Sequence, residues 1–99
     1  MANSRKWEAK KEAPKTYILP DSQCPVEIRK ALGNDVMAAQ RMASGDPAMY
    51  MPALMSLTVK VDGEKLLPED FGLMSGDDYN FLMDILSGIK QNFTSAPKT

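Results

Sequence analysis

One stretch near the carboxyl end of the chain, from Ser75 to Phe93, has the longest unbroken helical periodicity in the sequence. Ser75 is a favourable N-cap, and Asp77 and Asp78 have the charge that a helix N-terminus favours, so we interpret both carboxylates as capping charges. A helix with so apolar a face must be covered, so we expect the rest of the chain to fold against it. Its apolar side chains recur every three or four residues and are Tyr79, Leu82, Met83, Leu86, Ile89 and Phe93.

The chain divides into one domain and two end segments. Residues 1–15 are polar and charged, and too few of them are apolar to order the segment, so we expect a flexible basic arm there. Trp7 within it is either an incidental aromatic residue or a side chain that docks on a partner. We expect a single helical domain at 16–93 and a flexible tail at 94–99.

Helical patterns fill most of the predicted domain. The segment 26–32 reads as a short helix that starts at Pro25, and Asn34 can cap a second helix that extends to Ser44. Asp46 caps a third element that Pro52 kinks or restarts, and its solid part runs to about residue 58. A short helical turn at 67–74 precedes the last helix.

Strand signals are weaker. The segment TYIL at 16–19 is β-prone and is stopped by Pro20, which favours one edge strand. Asp62-Gly63 between two β-prone runs predicts either a two-residue hairpin or an ordered loop. The sequence therefore predicts a mainly α fold of three to four helices, with at most a short N-terminal strand or a β-hairpin near residues 59–67.

The charge is unevenly distributed over the 99 residues. Residues 1–16 contain five basic residues against two acidic ones, whereas residues 17–93 contain six against eleven. An acidic body argues against nucleic acid as the main ligand, because phosphate contacts need clustered Lys and Arg. We find no signal-peptide pattern and no apolar run approaching the ~18 residues of a membrane span, so we expect a soluble cytoplasmic protein without membrane contact.

The sequence lacks the residues and motifs that most often indicate catalysis. It contains no histidine and one cysteine, which excludes the usual general base and a zinc site of ordinary spacing. No phosphate-binding glycine motif is present. A calcium loop aligned on Gly63 would place Lys60 at a ligand position, and an ammonium group repels the cation. We therefore expect no enzyme activity, no metal and no cofactor.

Methionine is unusually abundant. Five of the eight methionines fall between positions 37 and 55, and this side chain adapts to varied apolar partners. They either fill a small core or form a client-binding surface. For the second alternative the candidate partner-binding residues are Met37, Met42, Met49, Met51, Leu54 and Met55.

Three segments carry a resemblance to a known family. They are IRKALGNDVMAAQRMASGD, PALMSLTV and VDGEKLLPEDFGLMSGDDYNFLMDILSGI, within residues 28–93. The last contains the pattern E-D-[LF]-x-x-[LM]-x-x-x-D-[YF], as Glu69-Asp70-Phe71, Met74 and Asp78-Tyr79. In these segments the chain resembles small tail assembly chaperones of tailed phages, of the contractile-tailed and Mu-like prophage type. That family commonly has an N-terminal β-hairpin before a basic segment, where this chain offers TYIL and a turn broken by proline.

The resemblance implies a non-enzymatic role in the host cytoplasm. Such a protein holds the tape measure protein, with tail tube subunits as a second candidate partner, and is absent from the mature virion. A domain this small also gains from self-association or from a bound partner, so a homo-oligomer is a further expectation. The alternatives are a structural component of the phage particle or a small helix-turn-helix DNA-binding protein, whose recognition helix would offer Arg41, Asn34 and Gln40.

Overall fold

The computed structural model describes residues 5–10 and 12–88 and shows an α+β fold. Four strands form one sheet, and three α-helices and two 3-10 helices complete the described chain. The strands are β1 (Lys15–Ile18), β2 (Pro25–Ile28), β3 (Val59–Val61) and β4 (Glu64–Lys65). The helices are α1 (Gly33–Ala43), α2 (Tyr50–Thr58) and α3 (Gly76–Ser87), with 3-10 helices at Pro47–Met49 and Pro68–Leu73.

The sheet has the order β1-β2-β3-β4, and every neighbouring pair is antiparallel. β1 and β2 form a hairpin whose loop is closed by a 2.9 Å hydrogen bond from the Leu19 N–H to the Cys24 carbonyl. α1 and α2 lie in the connection between β2 and β3, where Ile28 is the register partner of Val59. The chain therefore leaves the sheet after its first hairpin and returns beside it.

The prediction of a mainly α fold with at most one short strand or one hairpin is wrong. Residues 25–28 form a central strand, whereas the sequence had indicated a helix at 26–32. Val26 and Ile28 are buried and Glu27 between them is exposed, which is the alternation of a strand with one covered face. Four residues are too few to separate this alternation from a helical pattern, and this explains the error.

β3 and β4 form a hairpin with Asp62-Gly63 as its turn. Both turn residues have positive φ, 54° at Asp62 and 83° at Gly63, as a type I′ turn requires. Of the two alternatives left open by the sequence, the structure has the hairpin rather than an irregular loop. This turn brings Lys65 opposite Lys60 at the open edge of the sheet.

Helix boundaries follow local capping. The Ser75 hydroxyl accepts a hydrogen bond from the Asp78 N–H at 3.2 Å, so Ser75 caps α3 as predicted. α3 ends at Ser87 because Gly88 takes a left-handed conformation with φ of 80°. The predicted continuation of this helix to Phe93 and the predicted tail at 94–99 lie outside the described residues.

Pro52 is the third residue of α2, where its missing N–H removes no intrahelical hydrogen bond. The preceding 3-10 helix starts at Pro47 and is capped by Asp46, whose carboxylate accepts a hydrogen bond from the Ala48 N–H at 3.0 Å. The restart that the sequence indicated therefore falls at Tyr50 rather than at Pro52.

The core lies between the sheet and the elements on one of its faces. α2, α3 and the second 3-10 helix contribute Met55, Leu82 and Phe71, each at most 1% exposed. They pack against four sheet and loop residues, Leu19, Val26, Ile28 and Val59. A smaller cluster of Ala39, Ala53 and Leu54 joins α1 to α2. α1 thus packs on α2 through small side chains, and its opposite side remains open.

Candidate functional site

The six predicted partner-binding residues do not form one surface. Met55 is fully buried and Leu54 is 6% exposed, so both belong to the interior and are unavailable to a partner in this fold. Met49 and Met51 are half-buried, and Met51 packs against both apolar clusters. The interpretation of these methionines as core filling therefore describes the α2 residues better than the surface interpretation does.

Met37 and Met42 are the two exposed members of the set. They lie on α1 and are 50% and 45% exposed. Ala39 and Ala43 bury the other side of α1, and their small side chains allow α2 to approach closely. Five residues of helix rotate the side-chain direction by about 140°, so the two methionines point to different neighbourhoods. A client-binding surface on α1 would therefore consist of two separate apolar positions.

One of these positions, Met37, lines a surface cleft in the described part of the chain. This cleft has a volume of about 860 Å³ and lies between residues 7–10 and 12–13 on one side and the start of α1 on the other. We call it the N-terminal cleft. Its apolar lining consists of Trp7, Ala9, Ala13, Leu32 and Met37. The sequence gives no signal for this cleft, because the polar composition of residues 1–15 predicts a flexible arm that does not pack on the domain.

Trp7 lies at the open side of the N-terminal cleft and is 78% exposed. The Arg5 guanidinium lies over its ring, 5.4 Å from the ring centroid, a cation–π arrangement that limits the rotamers of the indole. Lys30 and Glu12, which both line the cleft, form a loose, exposed ion pair at 3.9 Å. The tryptophan is thus an exposed aromatic face held beside a cleft.

Arg29, which lines the cleft, forms an ion pair with Asp35 of α1. Two hydrogen bonds of 2.8 Å join the guanidinium to the two carboxylate oxygens. The same guanidinium donates to the Leu57 carbonyl at 2.9 Å, and the Leu32 N–H donates to the Asp35 carboxylate at 2.8 Å. These bonds attach the start of α1 to the end of α2 and place Leu32, rather than the predicted Asn34, at the N-cap.

The electrostatics of this pair follow from its geometry. The hydrogen bonds from Arg29 outweigh partial burial and hold the pKa of Asp35 below its ordinary value, with a further contribution from the Leu32 N–H. The carboxylate in turn raises the pKa of Arg29. Both groups are charged at neutral pH, so the pair is a permanent structural link rather than a proton-transferring dyad.

Asp78 has a role that the sequence did not reveal. Its carboxylate is 2% exposed and accepts hydrogen bonds from the Asp21 N–H at 2.8 Å and the Ser22 N–H at 3.2 Å. Burial acts to raise the pKa of Asp78, but these hydrogen bonds outweigh it and the pKa lies below its ordinary value. Asp77 and Asp78 both lie in the first turn of α3, as the interpretation of capping charges requires, and Asp78 has this second role in addition. Asp78 connects α3 to the turn of the β1–β2 hairpin.

The pattern that carried the family resemblance is therefore largely structural. Phe71 is 1% exposed, and Met74 and Tyr79 pack against the same core. Burial raises the pKa of Tyr79, and Asp78 holds the hairpin turn. Nothing within the sequence pattern itself indicated the partner of Asp78, because it lies 57 residues away.

Residues 5–10 and 12–88 contain neither a cluster of metal ligands nor a helix that could span a membrane. No three His, Cys, Asp or Glu side chains come together there as ligands for a metal ion. None of the helices in this part of the chain has both the length and the apolar character needed to cross a membrane.

Comparison with known proteins also gave no match. No protein-family model, no curated protein and no solved structure matches the chain.

Proposed function

We propose that this protein is a non-enzymatic phage tail assembly chaperone, which binds the tape measure protein in the host cytoplasm and leaves before the virion is complete. The observation that carries the proposal is the β1–β2 hairpin, which ends at Ile28 directly before the basic pair Arg29-Lys30. This is the element that the resembled family commonly has and that the proline-broken sequence had not indicated. The hairpin supports the resemblance at this point of the pattern, whereas the segment 1–15 has no counterpart in it.

The exposed side chains also support a binding role. Met37 and Met42 leave flexible apolar groups half exposed on α1. Burying such groups against a client stabilises a complex by about 25 cal/mol per Å² of apolar area, from which ordering costs are subtracted. Two separated methionines support modest, reversible binding, which suits a protein that has to release its client.

The helix-turn-helix alternative loses its structural basis. It requires two helices around Gly33, and the first of them is the strand β2 (Pro25–Ile28). The alternative of a structural particle component has no such contradiction, because its binding surfaces would look similar. It differs from the chaperone in one measurable property, namely whether the protein stays in the finished particle.

The experiment combines co-purification with particle analysis. The tagged chain is co-expressed with the large, coiled-coil-rich protein encoded immediately downstream, which is the expected tape measure protein. We expect the two to co-purify, and we expect mass spectrometry of purified particles to detect the tape measure protein without this chain. Stoichiometric amounts of the chain in particles would support the structural alternative, and failure to co-purify would refute client binding.

A variant pair tests whether α1 supplies the contact. Met37→Glu with Met42→Glu places charges at two exposed positions and should abolish co-purification without unfolding the domain. Leu73→Glu is the matched control because Leu73 is 86% exposed and lies in the second 3-10 helix. Equal co-purification by the folded double variant would remove α1 from the proposed contact. Met55 is unsuitable for this test because its replacement would disturb the core.

A further inference from the structure

The strand β1 lies at one edge of the sheet, and no described residue pairs with its outer side. The Leu19 N–H donates to the Cys24 carbonyl, so these two residues form a hydrogen-bonded pair of the hairpin. Hydrogen-bonded and non-hydrogen-bonded pairs alternate along an antiparallel ladder, so the backbone groups of Tyr17 point toward β2 and those of Thr16 and Ile18 point away from it. The outer edge of β1 therefore presents two N–H groups and two carbonyls.

The opposite edge of the sheet is less suited to pairing. β4 has only two residues, and its Lys65 is the register partner of Lys60. Short edges that carry lysines discourage pairing with a further strand. β1 has four residues, of which only Lys15 is charged. The Ile18 side chain lies on the sheet face opposite the core and is 53% exposed, so the β1 edge is the more open and the more apolar of the two.

Two prolines limit how another strand can pair with β1. Pro14 and Pro20 lie two residues before Thr16 and two residues after Ile18, and neither has an N–H to donate. When two β1 strands pair antiparallel about Tyr17, Thr16 of each chain stands opposite Ile18 of the other, and four hydrogen bonds satisfy every outward group. A shift of two residues in either direction places a proline opposite Ile18 or Thr16 and leaves a carbonyl without a donor. The edge is therefore complementary to a second copy of itself in one register.

The side chains of β1 also suit this register. The two copies of Tyr17 stand opposite each other at a non-hydrogen-bonded position, where side chains approach most closely and aromatic pairs stabilise a sheet. Phe81 packs edge-on against the Tyr17 ring with 6.0 Å between the ring centroids, which keeps the ring on the core side of the sheet. The two copies of Lys15 fall at opposite ends of the contact, about 14 Å apart, which exceeds the Debye length of about 10 Å at 0.1 M salt.

We propose that two copies of this chain associate through the outer edges of β1, antiparallel and centred on Tyr17, so that their four-stranded sheets form one continuous sheet. This inference goes beyond the proposed function and does not depend on it. Four residues of strand span only about 13 Å, so the contact buries less than the roughly 1,000 Å² of a stable interface. We therefore expect a reversible dimer with a dissociation constant on the order of 100 µM.

Sedimentation velocity of the full chain measures this association between about 10 µM and 1 mM, where we expect a change from mostly monomer to mostly dimer. Ile18→Lys places a charge on the paired edge and should weaken association about tenfold or more. Leu67→Lys is the matched control, because Leu67 is 60% exposed, lies outside the sheet and undergoes the same change of charge. It should associate like the wild-type chain, and far-UV circular dichroism should show that both variants fold. A monomer at all concentrations, or equal association by Ile18→Lys and wild type, would overturn the proposal.

Engineered cysteines test the register separately. In a Cys24→Ser background, Tyr17→Cys places the two new cysteines opposite each other with about 4.5 Å between their Cα atoms, within the range of a disulfide. We expect oxidised glutathione to convert this variant into a covalent dimer on non-reducing electrophoresis. Thr16→Cys in the same background is more exposed, but its two Cα atoms would lie about 9 Å apart, so it should crosslink far more slowly. Equal crosslinking of the two variants would refute the proposed pairing.

Amide hydrogen exchange of the wild-type chain identifies what covers the edge. The Thr16 and Ile18 amides should exchange about threefold more slowly at 1 mM than at about 50 µM, because the dimer protects them and its population falls on dilution. Protection that does not change with concentration would show that another segment of the same chain pairs with β1. Protection that appears only when the tape measure protein is added would assign the edge to the client. Either result would refute self-association, whereas co-purification of the tape measure protein tests the chaperone role independently.

Discussion

Replacing Met55 with alanine tests which methionines hold the domain together and which remain free for other contacts. Met55 is fully buried in the main cluster, against strands of the sheet and beside Phe71. The substitution removes Cγ, Sδ and Cε, and at about 0.8 kcal/mol for each buried group the lost transfer free energy is about 2.4 kcal/mol. The remaining cavity adds to this, so the free energy of unfolding should fall by about 2–5 kcal/mol.

That loss is large for a domain of this size. The free energy of unfolding of a small domain is about 5–15 kcal/mol, and a loss of about 3 kcal/mol should lower Tm by roughly 12–24 °C. Urea unfolding followed by far-UV circular dichroism measures it, with the slope of the transition expected to stay constant. Met37→Ala is the control, because a half-exposed position should change stability by no more than about 0.5 kcal/mol. Equal, small effects of the two substitutions would refute the placement of Met55 in the core.

Three other predictions concern the links between elements. Asp78→Asn should make the free energy of unfolding less dependent on pH in the acid range. In the wild-type chain the pKa of Asp78 is lowered by folding, so its carboxylate stabilises the fold fully above the ordinary aspartate pKa of about 3.9. This stabilisation is lost as the pH falls through the lower pKa of the folded state. Acid unfolding followed by circular dichroism checks this, and an unchanged profile would contradict it. Gly63→Ala should destabilise by about 1–2 kcal/mol because the turn needs a left-handed residue, whereas Gly72→Ala, without that conformation, should have little effect in the same urea titration. Arg29→Met should lower the free energy of unfolding by about 1 kcal/mol. The loss is modest because the Arg29 side chain is 41% exposed and solvent weakens its hydrogen bonds to Asp35. An unchanged free energy in urea unfolding would show that the ion pair does not stabilise the fold.

Local signals in the sequence determined the elements whose stabilising contacts are near in the chain. The cap at Ser75, the cap at Asp46 and the Asp62-Gly63 turn each depend on residues within about one turn, and each is present in the structure. The end of α3 at Gly88 also follows a local rule, because glycine favours the left-handed C-terminal position. The apolar spacing continues through Ile89 to Phe93 in the sequence, and for this reason we expected a longer helix.

Local sequence signals could not predict the features that depend on residues far apart in the chain. The segment β2 is too short for its residue pattern to distinguish a strand from a helix. It is a strand because it pairs with β1 and with β3, and the partner residues in β3 lie more than thirty positions further along the chain. The sequence indicates only that Asp78 places a favourable charge at the start of α3, whereas the fold also brings its carboxylate to the turn of the β1–β2 hairpin. The methionine pattern identified adaptable side chains, but the packing of α1 on α2 decides which of them face outward.

The link from Asp78 to Asp21 and Ser22 also sets an order of events during synthesis. The first hairpin leaves the ribosome early, yet the carboxylate that secures its turn is encoded 56 residues after Ser22. At translation rates of about 5–20 residues per second, the nascent hairpin waits about 3–11 s for that anchor. During this interval the turn amides stay open to water, and the hairpin turn is secured only when α3 leaves the ribosome.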